Sequence, residues 1–274
     1  MTTITINGTE LFYRETGNGS SPILLIHGTA ANADIWGETF DTLAARHRVI
    51  AYDRRGFSRS VYPPVKDLHL HSADAAALLT QMDVTSATVV GWSAGGIIAL
   101  DLTVNHPELV SSLVLCEPPL HARKHPQLSF VKDFLKVQMY RWMKRERQAN
   151  EVFLRFALAY NSGGTVFDRL PEIWRQAMLD NFAATLSEID AGTGEYLSEA
   201  QISSINCPVT CLAGALSLPF YRNATRRIMQ LLPQAKLQRV DGAGHFVPFD
   251  QPDEFVRLVR EATTASYDNP YVLP

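Results

Sequence analysis

The sequence contains few cysteines and no long hydrophobic run. Its three cysteines lie in or beside apolar, strand-like segments, which favours buried thiols over a disulfide framework and implies no metal site. No apolar segment approaches the ~18 residues that span a membrane. The opening residues, MTTITINGTE, have neither the basic flank nor the apolar stretch of a secretory signal. We therefore expect a cytoplasmic protein without a membrane span.

The sequence also lacks a strong excess of charge of either sign. The net charge is −3 over 274 residues, and the two signs are interspersed along the chain. Nucleic-acid binding normally requires a concentrated basic patch, so we expect no nucleic-acid partner. A hydrophobic content of 46% at this length supports one large core, or a core with an inserted subdomain. We expect a small-molecule partner, and the sequence leaves open whether the chain forms a homodimer.

One segment lacks acidic residues altogether. Asp and Glu number 28 in 274 residues, yet neither occurs between residues 200 and 240. About four would be expected in a window of that length at average composition. This segment therefore supplies no carboxylate to any site.

Short apolar, β-branched segments alternate with longer segments of helical periodicity. This alternation predicts an α/β fold with an eight-stranded, mostly parallel sheet covered by helices. The predicted strands are 3–6, 11–14, 23–26, 49–52, 87–90, 113–116, 209–213 and 237–240. Between 121 and 203 only helical periodicity is present. We therefore divide the chain into a core of residues 1–120 and 204–274 and an inserted helical cap of residues 121–203.

A candidate nucleophile lies between the fifth predicted strand and a helical segment. The motif GWSAG there has the GxSxG pattern, with Ser93 at its centre. Small neighbours permit a strained strand-to-helix turn, and the helix N-terminus supplies a positive dipole to a developing oxyanion. The third strand ends in HGT, so Gly28 and Thr29 can bring backbone N–H groups beside that of Ala94. We expect these groups to form an oxyanion hole.

Among the eight histidines, His245 is the candidate general base. It lies in a glycine-containing loop between the last strand and a final helix. Such a loop can reach a serine on the fifth strand, because both project from the carboxyl edge of one sheet. We interpret His27 as a residue that packs and hydrogen-bonds locally to shape its loop. The turn DRRGFSRS, at 53–60, is interpreted as structural.

Two carboxylates are candidates for the residue that orients the histidine. Glu117 ends the sixth strand, beside the nucleophile strand, and Asp241 lies four residues before His245. The acid has to accept the Nδ1 proton of the histidine, which favours a position on a neighbouring strand end over one in the same loop. We favour Glu117, with Asp241 and a dyad that lacks an acid as the alternatives.

The motifs HG, DRRGFSRS, GWSAGG and GAGHFVPF, in this order, resemble those of the α/β-hydrolase superfamily over essentially the whole chain. The resemblance implies an α/β-hydrolase fold with an inserted helical cap. In that superfamily the commonest acid follows strand seven, and Ser217 stands at about that position here. A minority of members carry the acid after strand six, as Glu117 would.

Within that minority, the pattern is similar to that of the fungal zearalenone lactonases. The shared features are Glu117, a GxSRS turn at 56–60 and a cap segment that starts SGG at 162–164. The chain departs from these lactonases at His27, where an acidic residue is expected. It departs again at Thr185, where the cap tryptophan is expected. The sequence therefore does not predict which lactone would be the substrate.

The resemblance implies a serine esterase or lactonase that acts through an acyl-enzyme and needs no cofactor. Its expected partner is a small hydrophobic ester or lactone. Apolar residues near the catalytic motifs and in the cap are the candidates for its pocket: Trp92, Trp142, Trp174, Leu218, Phe220 and Phe246.

Three alternatives use the same fold. A carbon–carbon bond hydrolase or a cofactor-independent perhydrolase or dioxygenase would reuse a Ser, His and acid set. A hormone-type receptor or sensor would retain the fold and bind its ligand instead of turning it over. Steady multiple turnover on esters or lactones distinguishes an enzyme from such a sensor.

Overall fold

The computed structural model describes residues 2–122 and 128–265 of the chain. Within these ranges eight strands form one sheet in the order β1-β2-β4-β3-β5-β6-β7-β8. Strands β1 and β2 are antiparallel to their neighbours, and β3 to β8 run parallel. The bounds are β1 Thr3–Ile6, β2 Thr9–Thr16, β3 Ile23–Ile26, β4 Val49–Tyr52, β5 Ala87–Trp92, β6 Val110–Cys116, β7 Val209–Gly214 and β8 Lys236–Val240. The predicted eight-stranded, mostly parallel sheet is confirmed.

Helices cover both faces of this sheet. The described helices are α1 Gly37–Ala44, α2 Leu68–Gln81, α3 Ala94–Asn105, α4 Leu128–Trp142, α5 Glu146–Ala157, α6 Glu172–Asp180, α7 Phe182–Ala191, α8 Glu199–Ser203, α9 Pro219–Leu231, α10 Val247–Asp250 and α11 Pro252–Ala265. Strand β3 shows why two helical layers are needed, because all four of its residues are buried. Leu24 and Ile26 belong to one apolar cluster and Ile23 and Leu25 to another, as alternation across a pleated strand requires.

The register of the parallel strands places several strand ends side by side. Ile26 at the end of β3 pairs with Gly91 on β5, and Trp92 at the end of β5 pairs with Cys116 at the end of β6. Cys116 pairs in turn with Leu212 on β7. The loops that follow β3, β5, β6 and β7 therefore leave the same edge of the sheet.

Helices α4 to α8 lie between β6 and β7 in the chain, and we call this segment the cap. Residues 123–127, at its start, lie outside the described residues. Part of the cap has its own apolar cluster around Val137, Ala149 and Leu186. The division into a core and a separate cap unit with boundaries at 121 and 203 stays a prediction. Within the described ranges, no helix is long and apolar enough to cross a membrane.

Candidate active site

Ser93 sits in a strained turn between β5 and α3. Its backbone has φ 55° and ψ −122°, a left-handed conformation that non-glycine residues adopt rarely and mainly where function requires it. Close backbone contacts explain why glycines stand at positions 91 and 95, two residues before and after Ser93. A Cβ on Gly91 would lie 2.4 Å from the carbonyl oxygen of Gly95, and a Cβ on Gly95 would lie 2.1 Å from that of Ile26. The turn thus has the geometry of a nucleophile elbow.

Glu117 contacts the imidazole of His245 at the same sheet edge. The distance between Nδ1 of His245 and Oε2 of Glu117 is 3.0 Å, and both side chains are buried. The Glu117 carboxylate also accepts a hydrogen bond from the backbone N–H of Gly214, at 2.9 Å, and one from the hydroxyl of Ser217, at 2.7 Å. These donors stabilise a buried negative charge and fix its orientation towards the histidine.

The environment of Glu117 also explains the absence of an acid at position 217. Ser217, which stands where the superfamily's usual acid is expected, is fully buried and hydrogen-bonds Glu117. The position after strand seven therefore supports the carboxylate that follows strand six.

Asp241, the alternative acid, does not contact His245. Its side chain is 92% exposed, and its carboxylate lies 3.7 Å from Arg239. The structure therefore contradicts this alternative. The physical reason is that Asp241 directly follows β8 and points to solvent, whereas Glu117 reaches His245 from a neighbouring strand.

The loop that carries His245 is held by contacts that the sequence did not predict. The Tyr221 ring stacks on the imidazole with centroids 3.6 Å apart, and the indole N–H of Trp92 donates to the carbonyl oxygen of His245 at 2.8 Å. The buried carboxylate of Asp250 accepts the backbone N–H of Gly244 at 2.9 Å. Tyr221 lies in a helical segment without a motif, and Asp250 directly follows the motif GAGHFVPF, which does not itself indicate the contact.

The predicted oxyanion-hole segment lies against the nucleophile. A Cβ on Gly28 would come within 3.0 Å of the Cβ of Ser93 and 2.9 Å of the Trp92 ring, so the HGT loop approaches closely only because this residue is glycine. Thr29 and Ala94 both line the cavity above Ser93. The three predicted residues are thus brought together beside Ser93.

His27 shapes this loop, as its sequence position suggested. The residue is fully buried, and its Nε2 accepts a hydrogen bond from the backbone N–H of Arg54 at 3.0 Å. The proton of the neutral ring therefore lies on Nδ1, which donates to the carbonyl oxygen of Gly28 at 2.8 Å. Burial, followed by the charge of Arg54, lowers the pKa of His27 well below its usual value and keeps the ring neutral.

Ser93 and His245 open onto a cavity of about 540 Å³. Its walls come from both the core and the cap, and most of the side chains are apolar. The larger ones include Leu68, Ile97, Phe134, Phe153, Phe156 and Met178. A cavity of this size and character suits a small hydrophobic molecule.

The predicted pocket residues divide into two groups. Trp92 and Phe220 line the cavity, whereas Trp142, Trp174, Leu218 and Phe246 are not among the described residues that do so. The last four predictions need correction. For Trp142 and Trp174, helical periodicity identifies an apolar face but not the direction in which a cap helix turns that face. Leu218 and Phe246 lie in core loops, where closeness to a catalytic motif does not specify the direction of a side chain.

Each of these four side chains lies elsewhere in the structure. Trp142 is 83% exposed at the end of α4, and Leu218 lies at the start of α9. Trp174 lies edge-on to Phe249 at 6.1 Å. Phe246 is fully buried and stacks on Trp92, with ring centroids 4.3 Å apart. It therefore supports a wall of the cavity from behind.

The sequence matches the family model of the alpha/beta hydrolase fold over residues 21–252, which include β3, the elbow and the histidine loop. The chain belongs to this family. The chain is 37% identical over 121 residues to the uncharacterized hydrolase YraK of Bacillus subtilis (strain 168), a match that covers 43% of this chain and 44% of that protein. It is 27% identical over 267 residues to a non-heme chloroperoxidase of Streptomyces lividans, covering 92% and 95%.

Among solved structures, the fold is similar to that of Est816, described as an N-acyl homoserine lactone degrading enzyme. The TM-score is 0.78 at 24% identity, with 95% of this chain and 99% of that chain covered. This likeness concerns the α/β-hydrolase fold alone. In the described part of this α/β-hydrolase fold protein, no group of three or more His, Cys, Asp or Glu side chains is arranged to hold a metal ion.

Proposed function

We propose that this α/β-hydrolase fold protein is a serine hydrolase that cleaves a carboxylic ester or lactone of a hydrophobic small molecule through an acyl-enzyme. The observation that carries the proposal is the buried contact of 3.0 Å between His245 and Glu117. His245 of this pair lines the same apolar cavity as Ser93, which is held in a nucleophile elbow. A Ser-His-acid set is recognised by this geometry and not by sequence position.

In the first half of the reaction, His245 acts as the general base. Glu117 accepts a hydrogen bond from the Nδ1–H of His245, and this tautomer leaves Nε2 free to take the hydroxyl proton of Ser93. Ser93 Oγ then bonds to the substrate carbonyl carbon, and the oxyanion is stabilised by N–H groups of Ala94 and of Gly28 or Thr29. The intermediate collapses, the alcohol leaves with the proton from His245, and an acyl-enzyme is formed.

In the second half, water replaces the alcohol. His245 takes a proton from this water, the oxygen attacks the acyl carbonyl, and Ser93 leaves with the proton returned by the imidazole. The products are a carboxylic acid and an alcohol, or one hydroxy acid when the substrate is a lactone. The reaction requires no cofactor.

The character of the cavity supports a hydrophobic substrate. More than half of the residues that line the cavity come from the cap, and most of these are aromatic or aliphatic. The resemblance in fold to an acyl homoserine lactone degrading enzyme adds acyl lactones to the substrates worth testing.

An activity panel tests the proposal. We expect steady multiple turnover on p-nitrophenyl esters or on aliphatic lactones, with kcat/KM rising as the acyl chain lengthens. Ser93→Ala abolishes turnover, with a loss on the order of 10⁶ in kcat, and it also abolishes labelling by a fluorophosphonate probe. Absence of turnover in the wild type, or full activity in Ser93→Ala, would contradict the proposal. One slow covalent event per molecule would indicate a sensor.

A second candidate is a perhydrolase, which the relationship to a non-heme chloroperoxidase over 92% of the chain favours. In that reaction hydrogen peroxide, instead of water, attacks the acyl-enzyme and releases a peracid, which then oxidises halide. Bromination of phenol red that depends on hydrogen peroxide, a short carboxylic acid and Ser93 would support it. Ester turnover without such bromination supports the first proposal.

A further inference from the structure

We infer that Arg54 and Glu188 are positioning residues for the oxyanion hole. Arg54 holds the peptide between Gly28 and Thr29 by its carbonyl oxygen and aims the Thr29 N–H at the oxyanion, and Glu188 of the cap holds Arg54 in place. This inference rests on the proposed serine hydrolase function. Beyond that function, the inference names the Thr29 N–H as a donor to the oxyanion and links the cap to the reacting atoms.

The carbonyl oxygen of Gly28 accepts hydrogen bonds from three donors. Nδ1 of His27 lies at 2.8 Å, Nη2 of Arg54 at 3.2 Å and the backbone N of Ala31 at 3.3 Å. A carbonyl oxygen has two lone-pair directions, so this oxygen is fully used. The two side-chain donors are also linked to each other, because the backbone N–H of Arg54 donates to Nε2 of His27.

Holding the carbonyl determines where the adjacent N–H points. The Gly28–Thr29 peptide is planar and trans, so its C=O and its N–H point in opposite directions. The C=O faces the buried Arg54, and Thr29 lines the cavity beside Ser93. The N–H of Thr29 is therefore directed away from Arg54. Hydrogen bonds to the C=O also polarise the peptide and make its N–H a stronger donor.

Arg54 is held from the cap. It is fully buried, and its Nη1 and Nη2 pair with the two carboxylate oxygens of Glu188 on α7. Its guanidinium also lies 4.4 Å above the Phe57 ring. A bidentate pair fixes the plane of the guanidinium, which a single ammonium contact would not do.

Glu188 also lies close to the imidazole of His71. Nε2 of His71 lies 3.4 Å from its carboxylate, and burial, followed by the charges of Arg54 and Arg55, lowers the pKa of His71 well below its usual value. His71 is therefore neutral, and Arg54 is the cation that compensates Glu188. Since Glu188 also lines the cavity, the ion pair connects the cap wall to the oxyanion loop.

The experiment compares Arg54→Met, Arg54→Lys and the double variant Arg54→Met with Glu188→Gln. The double variant leaves no unpaired buried charge, so it separates loss of positioning from loss of folding. We expect kcat on a p-nitrophenyl ester to fall roughly 10-fold to 10²-fold in the double variant, below the 10²- to 10³-fold cost of deleting an oxyanion donor. KM changes less than threefold, and Arg54→Lys recovers part of kcat.

A second measurement isolates the oxyanion. The affinity for an alkyl trifluoromethyl ketone, which forms a tetrahedral adduct with the serine, is expected to fall by the same factor as kcat. The matched control is the neighbouring buried pair Arg55 and Asp74, joined at 2.6 Å without a contact to Gly28. Arg55→Gln with Asp74→Asn is expected to change stability while kcat per folded molecule stays within twofold.

Two results would overturn the inference. One is wild-type kcat and ketone affinity in the folded double variant, and the other is a change confined to KM. If the wild type turns over no ester or lactone, the proposed function fails. The amide resonance of Thr29 then still tests the positioning, because its ¹⁵N and ¹H shifts are expected to move in Arg54→Met and not in the Arg55 and Asp74 control.

Discussion

The core and the cap line the same cavity but hold their side chains in place by different interactions. On the core side, Glu117 accepts hydrogen bonds from a backbone N–H and a hydroxyl and contacts His245. On the cap side, the cavity wall is mostly aromatic and aliphatic, and Glu188 pairs with Arg54. In the proposed reaction, the core supplies the catalytic groups and the cap supplies most of the contacts to the substrate, and the ion pair between Arg54 and Glu188 joins the two.

Among the changes that test this comparison, the largest effect is expected from removing the charge of Glu117 on the core side. Glu117→Gln keeps the shape of the side chain but removes the charge that stabilises the imidazolium of His245. We expect kcat to fall by on the order of 10³ to 10⁴, as for loss of the orienting acid elsewhere. Steady-state kinetics measure this, with far-UV circular dichroism to show that the variant folds.

Asp241→Asn is the matched control for that variant, because it also converts an acid near the histidine loop into its amide. The exposed Asp241 side chain makes no contact with His245, so we expect activity within twofold of the wild type. Near-normal activity in Glu117→Gln would contradict the assigned acid.

A second change would move the acid to its more usual position. Ser217 hydrogen-bonds the carboxylate oxygen of Glu117 that contacts His245, so a carboxylate at 217 starts from a place close to the imidazole. We expect Ser217→Asp, added to Glu117→Gln, to restore kcat roughly 10-fold to 10²-fold over the single variant. Ser217→Asn in the same background is the uncharged control, and equal rescue by it would rule out a role for the charge.

A third change tests the cap side of the cavity. Phe156 on α5 lines the cavity, and burying a phenylalanine side chain is worth about 1.5–3 kcal/mol. We expect Phe156→Ala to raise KM for a long-chain ester roughly 10-fold or more while kcat changes little. Ile173→Ala is the control, since Ile173 is a cap residue with 75% exposure. A loss in kcat alone would show that the cap wall acts on the chemistry more directly.

The smallest expected effect is on the pH dependence of the free energy of unfolding, through two buried histidines near the ion pair of Arg54 and Glu188. The pKa values of His27 and His71 are lowered in the folded state, in both cases chiefly by burial. The unfolded chain therefore binds more protons below pH 6.5 than the folded chain. The free energy of unfolding is therefore expected to fall as the pH decreases below 6.5, by up to about 1.4 kcal/mol per pH unit for each of these two histidines.

Urea unfolding at pH 7.5 and 5.5 measures this loss. His71→Gln is expected to reduce the difference in the free energy of unfolding between the two pH values. His106→Gln is the control, because His106 has a 40% exposed side chain. An unchanged difference in His71→Gln would show that His71 does not contribute to the pH dependence.

The sequence predicts the core better than the cap for a physical reason. All four residues of β3 are apolar and buried because helices cover both faces, and the same local pattern reveals the strand in the sequence. The elbow at Ser93 is equally local, since its glycines and its flanking strand and helix are neighbours in the chain. Segments of this kind can be recognised without knowing what packs against them.

The contacts that sequence analysis missed join distant parts of the chain. Tyr221 stacks on His245, and Glu188 pairs with Arg54, yet each lies in a helical segment without any motif. The pocket predictions at Trp142 and Trp174 were wrong for the same reason. The direction in which a cap helix faces depends on packing between helices, which periodicity alone does not specify.

The exposed tryptophan at the end of α4 makes the cap optically distinct from the core. Of the four tryptophans in the chain, Trp36 and Trp92 are at most 2% exposed, whereas Trp142 is 83% exposed. Iodide in solution therefore quenches the emission of Trp142 strongly and that of Trp36 and Trp92 weakly. The native protein thus carries its own fluorescent label at the end of α4, and rearrangement of this helix can be followed without attaching a dye.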